Sequence, residues 1–172
     1  MPLNTVVGTR LDRQQIAARI PHSADMCLLD SVEHWNADSI RCNSQSHRDN
    51  SNPLREAGRL GAACGVEYAA QAMAIHGALL AGLADDTRPR AGFLASMRDV
   101  QFHATRLDDI ADALCIEAER LTGDGHSILY SFSVSAADKV LLTGRAAVVL
   151  DAGAIEAKQA ATQAQQNNME QQ

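Results

Sequence analysis

Aromatic residues are nearly absent from this sequence, which has three Phe, two Tyr and one Trp among its 172 residues. The apolar residues make up 46% of the chain and are mostly small or aliphatic, so the core must be built by close packing of such side chains. Basic residues are also few, since 15 Lys and Arg stand against 21 Asp and Glu and the formal net charge is −6. Because nucleic-acid-binding domains present a basic surface, this composition argues against that class of protein.

Cysteine motifs and an apolar N-terminal run are missing as well. The four cysteines form no C-x-x-C pair, and we expect reduced thiols in the cytoplasm. The first ten residues contain no apolar stretch like that of a secretion signal. No His, Cys or carboxylate residues have metal-ligand spacing, so we expect neither a metal site nor another cofactor. The length suits a single domain.

One long apolar segment is present, and it covers residues 64–83, a length that would suffice to cross a bilayer. It contains Glu67, Gln71 and His76, and its apolar residues are mainly Ala and Gly rather than Leu and Ile. Since a charged side chain is costly inside lipid, we predict a buried central helix and not a membrane span.

The other segments predict a short helix, several strands and a polar loop. The short amphipathic helix is predicted at 11–20, where Pro21 stops it. Predicted strands cover 26–33 and 39–46 before the polar loop 47–61 and the long helix, and 92–105, 113–121, 128–134 and 140–150 after it.

This order predicts an α+β fold in which a curved antiparallel sheet wraps one central helix. We expect one domain over residues 1–150. Residues 151–172, rich in Ala, Gln and Asn, are predicted to be a flexible or frayed-helical tail. Because the exposed edges of a sheet can pair with another chain, we predict that the protein forms a dimer through its sheet edges.

Three motifs resemble those of the β-hydroxyacyl-acyl-carrier-protein dehydratases, which have the hotdog fold. Residues 20–22 and 26–30 are similar to their opening motif, L-P-H-x-x-P-x-L-L-x-D. Residues 67–72, EYAAQA, are similar to their central-helix motif, E-A-x-A-Q. Residues 93–102, FLASMRDVQF, resemble the strand that follows that helix. The resemblance implies a hotdog fold and dehydration of 3-hydroxyacyl thioesters on an acyl carrier protein, in fatty-acid or polyene-type chain elongation.

A longer run, residues 46–77, resembles the dehydratase-like proteins of aryl-polyene-type biosynthetic clusters, and the likeness as a whole covers most of residues 11–150. It departs from the dehydratases at one point. Their Gly-His-Phe-Pro segment, whose His works with the helix Glu, is missing here, and residues 53–55 occupy that region. His47, at the end of the second predicted strand, is our candidate for the missing His.

Dehydration removes a proton from the α-carbon of the thioester and expels the 3-hydroxyl as water, so it needs one base and one acid. Glu67, which matches the helix motif, is the predicted acid. Gln71, four residues further on the same helix face, is also predicted to be catalytic, by hydrogen-bonding Glu67 or a bound water and fixing its geometry. His47 is the predicted base, in the same chain or across a dimer interface. The negative charge on the thioester oxygen needs hydrogen-bond donors, which the start of a helix supplies. The predicted substrate-binding residues there are Ala62, Ala63, Gly65 and Tyr68.

Carrier proteins are acidic, so the arginines that flank the long helix are predicted to contact one. These are Arg48, Arg55, Arg59, Arg88 and Arg90. The other histidines are predicted to be structural or superficial: His22 and His76 as structural, and His34, His103 and His126 in turns or on strand surfaces.

Two other functions stay open on the sequence. The missing segment suits a catalytically weak or inactive hotdog subunit that stabilises an active dehydratase partner. A thioesterase on the same fold would use Glu67 to activate water. The expected partners are a carrier-bound substrate and a second hotdog chain, either identical or different, and neither nucleic acid nor a membrane.

Overall fold

The computed structural model describes residues 8, 10–20, 24–83, 92–124 and 127–150, which contain one sheet of seven strands. The strands are β1 (Leu11–Asp12), β2 (Ser31–Trp35), β3 (Ser39–Ser44), β4 (Gly92–Phe102), β5 (Leu114–Gly123), β6 (Ser127–Ala136) and β7 (Lys139–Leu150). In space they follow the order β1-β2-β3-β5-β6-β7-β4, and every neighbouring pair is antiparallel. The strands β1 and β4 therefore form the two edges.

One long helix, α2 (Gly65–Leu83), packs against β3, β5 and β6, whereas α1 (Arg13–Ala17) is a short helix next to β1. The buried Ala69 and Ala72 have side chains small enough to let the sheet approach the helix axis. At the helix start, a Cβ added to Gly65 would lie 2.5 Å from Leu142 Cδ2, so β7 also passes close by. An antiparallel sheet packed on one central helix confirms the predicted architecture.

Strand β6 shows how the sheet covers the helix. Its buried residues alternate with half-buried ones, as in a strand with one face on the core. The buried set is Ile128, Tyr130, Phe132, Val134 and Ala136. None of the described helices is long and apolar enough to cross a membrane, α2 included.

The prediction of a helix over 11–20 is wrong at its start and its length. Leu11 and Asp12 pair with β2, and α1 covers only Arg13–Ala17. Asp12 caps the helix, because its side chain accepts from Gln15 N at 2.9 Å while Gln15 Oε1 accepts from Asp12 N at 3.0 Å. This reciprocal capping box sets the first turn of the helix.

The prediction of a strand over 26–33 is wrong as well, since Ala24–Met26 is a 3-10 turn and β2 begins only at Ser31. The reason lies in Leu28, whose N–H and carbonyl bind side chains rather than a neighbouring strand. The later predicted strands and the long helix agree with the structure to within a few residues. The predicted tail, 151–172, lies outside the described residues, and the predicted domain boundary stays a prediction.

Candidate active site

Glu67 and Gln71 meet in the first turns of α2. Gln71 is completely buried, and its amide is used in full: Oε1 accepts from Leu28 N at 2.9 Å, and Nε2 donates to Met26 O at 2.7 Å. The same Nε2 donates to Glu67 Oε1 at 3.1 Å. Glu67 is half-buried, so its carboxyl group is held by an anchored amide at the border between core and solvent. The predicted i, i+4 contact is therefore present.

Tyr68, the next residue of α2, points into the interior. Its side chain is completely buried, and its hydroxyl lies 2.9 Å from Ser46 Oγ and 3.0 Å from Asn52 Nδ2. Burial raises the pKa of the Tyr68 phenol, which therefore keeps its proton. Within this chain Tyr68 contacts buried side chains, whereas the sequence predicts contact with substrate. Sequence patterns do not identify Ser46 or Asn52 as candidates, because their contacts with Tyr68 join residues that are far apart in the chain.

His47 lies in the 3-10 turn Ser46–Arg48, which follows β3, and its ring is completely buried. Its Nε2 lies 3.0 Å from Ile110 O, so Nε2 carries the hydrogen and donates it. Its Nδ1 has no hydrogen-bond partner among the residues that the structure describes. Burial lowers the pKa of His47, although the Ile110 carbonyl opposes the shift. A neutral imidazole with an unused lone pair is the form that a base requires.

The start of α2 is preceded by the 3-10 turn Ala62–Cys64, and this turn uses several of the backbone donors expected there. Ala62 N donates to Thr105 O at 3.1 Å, and Cys64 N donates to Gly61 O at 3.0 Å. Ala62 and Gly65 are buried, whereas Ala63 is exposed. Of the small residues predicted to bind substrate, Ala63 alone is exposed.

The predicted carrier-binding arginines have different surroundings. Arg48 and Arg59 are exposed, and Arg48 Nη1 donates to Ala111 O at 2.8 Å. The side chain of Arg55 is only 11% exposed, and it donates to Gly58 O at 2.9 Å and to Arg48 O at 3.1 Å. Arg55 therefore stabilises the loop by hydrogen bonds on its buried side. Arg88 and Arg90 lie outside the described residues.

His76, in the middle of α2, packs in the core as predicted. Its Nδ1 lies 2.9 Å from Tyr130 OH and its Nε2 lies 2.8 Å from Asn36 O. His34 and His103 are exposed, which agrees with their predicted surface positions. His22 and His126 lie outside the described residues.

An antiparallel sheet packed on one long central helix is the architecture of the hotdog fold. A family model described as the ApeP dehydratase matches residues 14–161. The chain therefore belongs to the ApeP-like dehydratase family.

Solved structures confirm the hotdog fold. The dehydratase heterocomplex ApeI:P from Xenorhabdus doucetiae matches with a TM-score of 0.71 and 20% identity, over 84% of this chain and 93% of that one. A mutant thioesterase from Pseudomonas aeruginosa matches with a TM-score of 0.59 and 14% identity, over 84% and 96% of the two chains. Zebra fish thioesterase superfamily member 2 matches with a TM-score of 0.56 and 14% identity, over 81% and 95%. None of the curated proteins compared with the chain matches it.

Proposed function

We propose that the protein dehydrates 3-hydroxyacyl groups, carried on an acyl carrier protein, to trans-2-enoyl thioesters. The observation that supports this proposal most is the half-buried Glu67, which the anchored amide of Gln71 holds 3.1 Å away in the first turns of α2. Membership of a dehydratase family agrees with it. The exposed Arg48 and Arg59 would contact the acidic carrier protein. We place the reaction in the cytoplasm, which suits four thiols that form no disulfide.

In the proposed reaction, Nδ1 of His47 takes the α-proton of the thioester. The released electron pair forms the double bond between the α- and β-carbons, and the C–O bond to the 3-hydroxyl breaks. Glu67, as the general acid, gives a proton to the departing hydroxyl, which leaves as water. Gln71 helps to orient the Glu67 carboxyl, because its own amide is anchored by Leu28 N and Met26 O. His47 acts together with Glu67 of the same chain or of a second chain.

The test compares Glu67→Gln with Glu119→Gln, an exposed glutamate on β5 that serves as the matched control. Loss of a general acid should lower the rate of enoyl formation by about 10²- to 10⁴-fold, whereas the control should keep the wild-type rate. The measurement is the loss of one water from a 3-hydroxyacyl carrier protein, followed by mass spectrometry. Equal rates for wild type and Glu67→Gln would refute the assignment of the acid. Release of free carrier thiol in place of enoyl product would favour the thioesterase.

A second hotdog chain is the partner that we propose. Strand β4 is an 11-residue edge strand that pairs, among the described strands, only with β7. It exposes four large apolar side chains, namely Phe93, Leu94, Met97 and Phe102, each between 41% and 49% exposed. An unpaired edge with apolar side chains is a template for pairing with another chain. The heterocomplex among the similar structures suits a partner that is a different hotdog protein.

The interface is tested with Met97→Arg and with Val140→Arg, a control of similar exposure on β7 (43% and 48%). Light scattering should give the mass of an assembly for wild type and for the control, and that of a single chain for Met97→Arg. A wild-type chain that stays monomeric alone, but assembles and becomes active with a hotdog dehydratase chain, would identify a heterocomplex. If that complex keeps full activity when Glu67 and His47 are both replaced, this chain is its supporting subunit.

A further inference from the structure

A buried polar network joins the turn that carries His47 to the helix that carries Glu67. Its first member is Asn52, whose side-chain amide is used in full. Asn52 Oδ1 accepts from Leu54 N at 2.9 Å, which identifies the oxygen of the amide. Asn52 Nδ2 then donates to Ser46 O at 2.9 Å and to Tyr68 OH at 3.0 Å.

The orientation of the Asn52 amide determines which group donates and which accepts in the remaining hydrogen bonds. Because the Tyr68 oxygen accepts from Asn52, its own hydrogen is available to Ser46 Oγ, 2.9 Å away. The hydroxyl of Ser46 donates in turn to Leu28 O at 2.7 Å, which as a carbonyl can only accept. The hydrogen bonds therefore run in one order, from Asn52 through Tyr68 and Ser46 to Leu28.

From Leu28 the network continues to the candidate acid. Leu28 N donates to Gln71 Oε1 at 2.9 Å, and Gln71 Nε2 donates to Glu67 Oε1 at 3.1 Å. Tyr68 thus contacts the residue before His47 in sequence, while it follows Glu67 directly in α2. Tyr68 is thus a side chain of α2 that binds the turn carrying His47.

We propose that Tyr68 is a positioning residue, which holds the turn Ser46–Arg48, and with it His47, against the first turns of α2. The catalytic part of this inference rests on the proposed function, whereas the placement of His47 does not. Removal of the hydroxyl would leave the Asn52 donor and the Ser46 acceptor without their partner inside the core. The turn would then shift and admit water to the ring of His47.

The chain offers a matched control, because its two tyrosines, Tyr68 and Tyr130, are both almost completely buried and each bonds a different site. Tyr130 OH lies 2.9 Å from Nδ1 of His76. Tyr68→Phe should therefore act on His47, and Tyr130→Phe should act on His76. Both substitutions remove one buried hydroxyl, so a general loss of stability is common to them.

The measurement is the NMR signals of nitrogen-15-labelled histidine rings, titrated with pH in wild type and in both variants. Tyr68→Phe should shift the His47 signals and raise its protonation midpoint, since burial lowers the pKa of that ring and water would reverse the effect. The charges that act on His47 are Arg48, which lowers its pKa, and Asp30, which raises it; neither is altered. Tyr130→Phe should change the His76 signals and leave those of His47 unchanged.

Ser46→Ala provides a second route, because it removes the acceptor of the Tyr68 hydrogen while Tyr68 stays in place. The proposal fails if His47 keeps its wild-type signals and midpoint in both Tyr68→Phe and Ser46→Ala. In the dehydration assay, Tyr68→Phe should lower kcat by about 10- to 100-fold with little change in KM. The variant that combines Tyr68→Phe with Ser46→Ala should be no slower than the slower of the two single variants, because both residues belong to one network. If the His47 signals shift but wild type forms no enoyl product, the positioning role stands and the proposed function is refuted.

Discussion

The hydroxyls of the two buried tyrosines lie at two different parts of α2, one at its middle and one at its start, and their hydrogen bonds differ. In the middle of the helix, His76 donates from Nε2 to Asn36 O at 2.8 Å and accepts at Nδ1 from Tyr130 OH at 2.9 Å. Both nitrogens of this ring are used, and the two rings meet edge-on with centroids 5.7 Å apart. At the helix start, Tyr68 belongs to a longer network that ends at the half-buried Glu67.

The difference teaches which polar groups the fold uses up and which it keeps available. A buried polar group that has every partner stabilises the native state and has no lone pair left for chemistry. The site of His76 and Tyr130 is of this kind. Near the helix start, by contrast, His47 Nδ1 has no hydrogen-bond partner in the described part of the chain, and Glu67 is only half-buried. This difference supports the proposal that the chemistry takes place at the helix start.

The largest effect on stability is expected for Gln71→Leu, which would break the network at the helix start. Leu28 N and Met26 O would both lose their partner, at a cost of about 1 to 3 kcal/mol each, so the free energy of unfolding should fall by about 2 to 6 kcal/mol. Urea unfolding measures it, with Gln14→Leu on the exposed face of α1 as control. A loss no larger than that of the control would show that the amide is dispensable.

Acid should weaken both regions, because burial lowers the pKa of His47 and of His76 in the folded protein. In the unfolded chain both take up protons at about pH 6.5, so below that pH the unfolded state binds more protons and stability falls. The loss should approach about 1.4 kcal/mol per pH unit for each histidine, until the folded pKa is reached.

Urea unfolding between about pH 7 and pH 5 measures this slope. His76→Gln should make the dependence of the unfolding free energy on pH shallower, because the variant lacks the proton that His76 takes up on unfolding. Asp108 acts in a separate, more acidic range, because its hydrogen bond with Arg106 holds the pKa of that carboxyl group well below its usual value. A slope that is the same in wild type and variant would mean that His76 is protonated equally in both states.

Tyr130→Phe should cost about 1 to 3 kcal/mol of unfolding free energy, because the buried His76 Nδ1 would lose its donor. The rate of enoyl formation by the folded variant should stay at the wild-type value, since this site lies outside the network of Glu67. Unfolding and turnover are measured on the same preparation. A large drop in kcat would contradict the division between the two regions.

Ser44→Ala should lower the free energy of unfolding by about 1 to 3 kcal/mol, less than Gln71→Leu. It removes the acceptor of Ser46 N at 3.1 Å, whereas Leu28 O keeps its bond from Ser46 Oγ at 2.7 Å. Thermal or urea unfolding measures the loss. If Ser44→Ala proved as costly as Gln71→Leu, the two serine donors would not substitute for each other and the network would be less tolerant than its geometry indicates.

Local patterns allowed part of the site to be predicted. The contact of Glu67 with Gln71 follows from a spacing of four residues, which places two side chains on one face of any helix. The bonds of Gln71 to Leu28 and of Tyr68 to Ser46 join residues 43 and 22 positions apart, and no helical or strand periodicity contains such pairs. For the same reason the sequence does not reveal that Arg55, a predicted carrier-protein contact, is enclosed by its carbonyl partners.

The sequence alone determined the strands from residue 39 onward, the position of the central helix and the presence of a carboxyl group near its start. Alternating burial and an Ala-rich apolar run are local properties that survive any detail of packing. Only the tertiary structure decided which polar groups are consumed: His76 is satisfied on both nitrogens, whereas His47 keeps one nitrogen unpartnered within the described residues. Partners of buried groups come from distant segments, so their pairing is settled when those segments pack together.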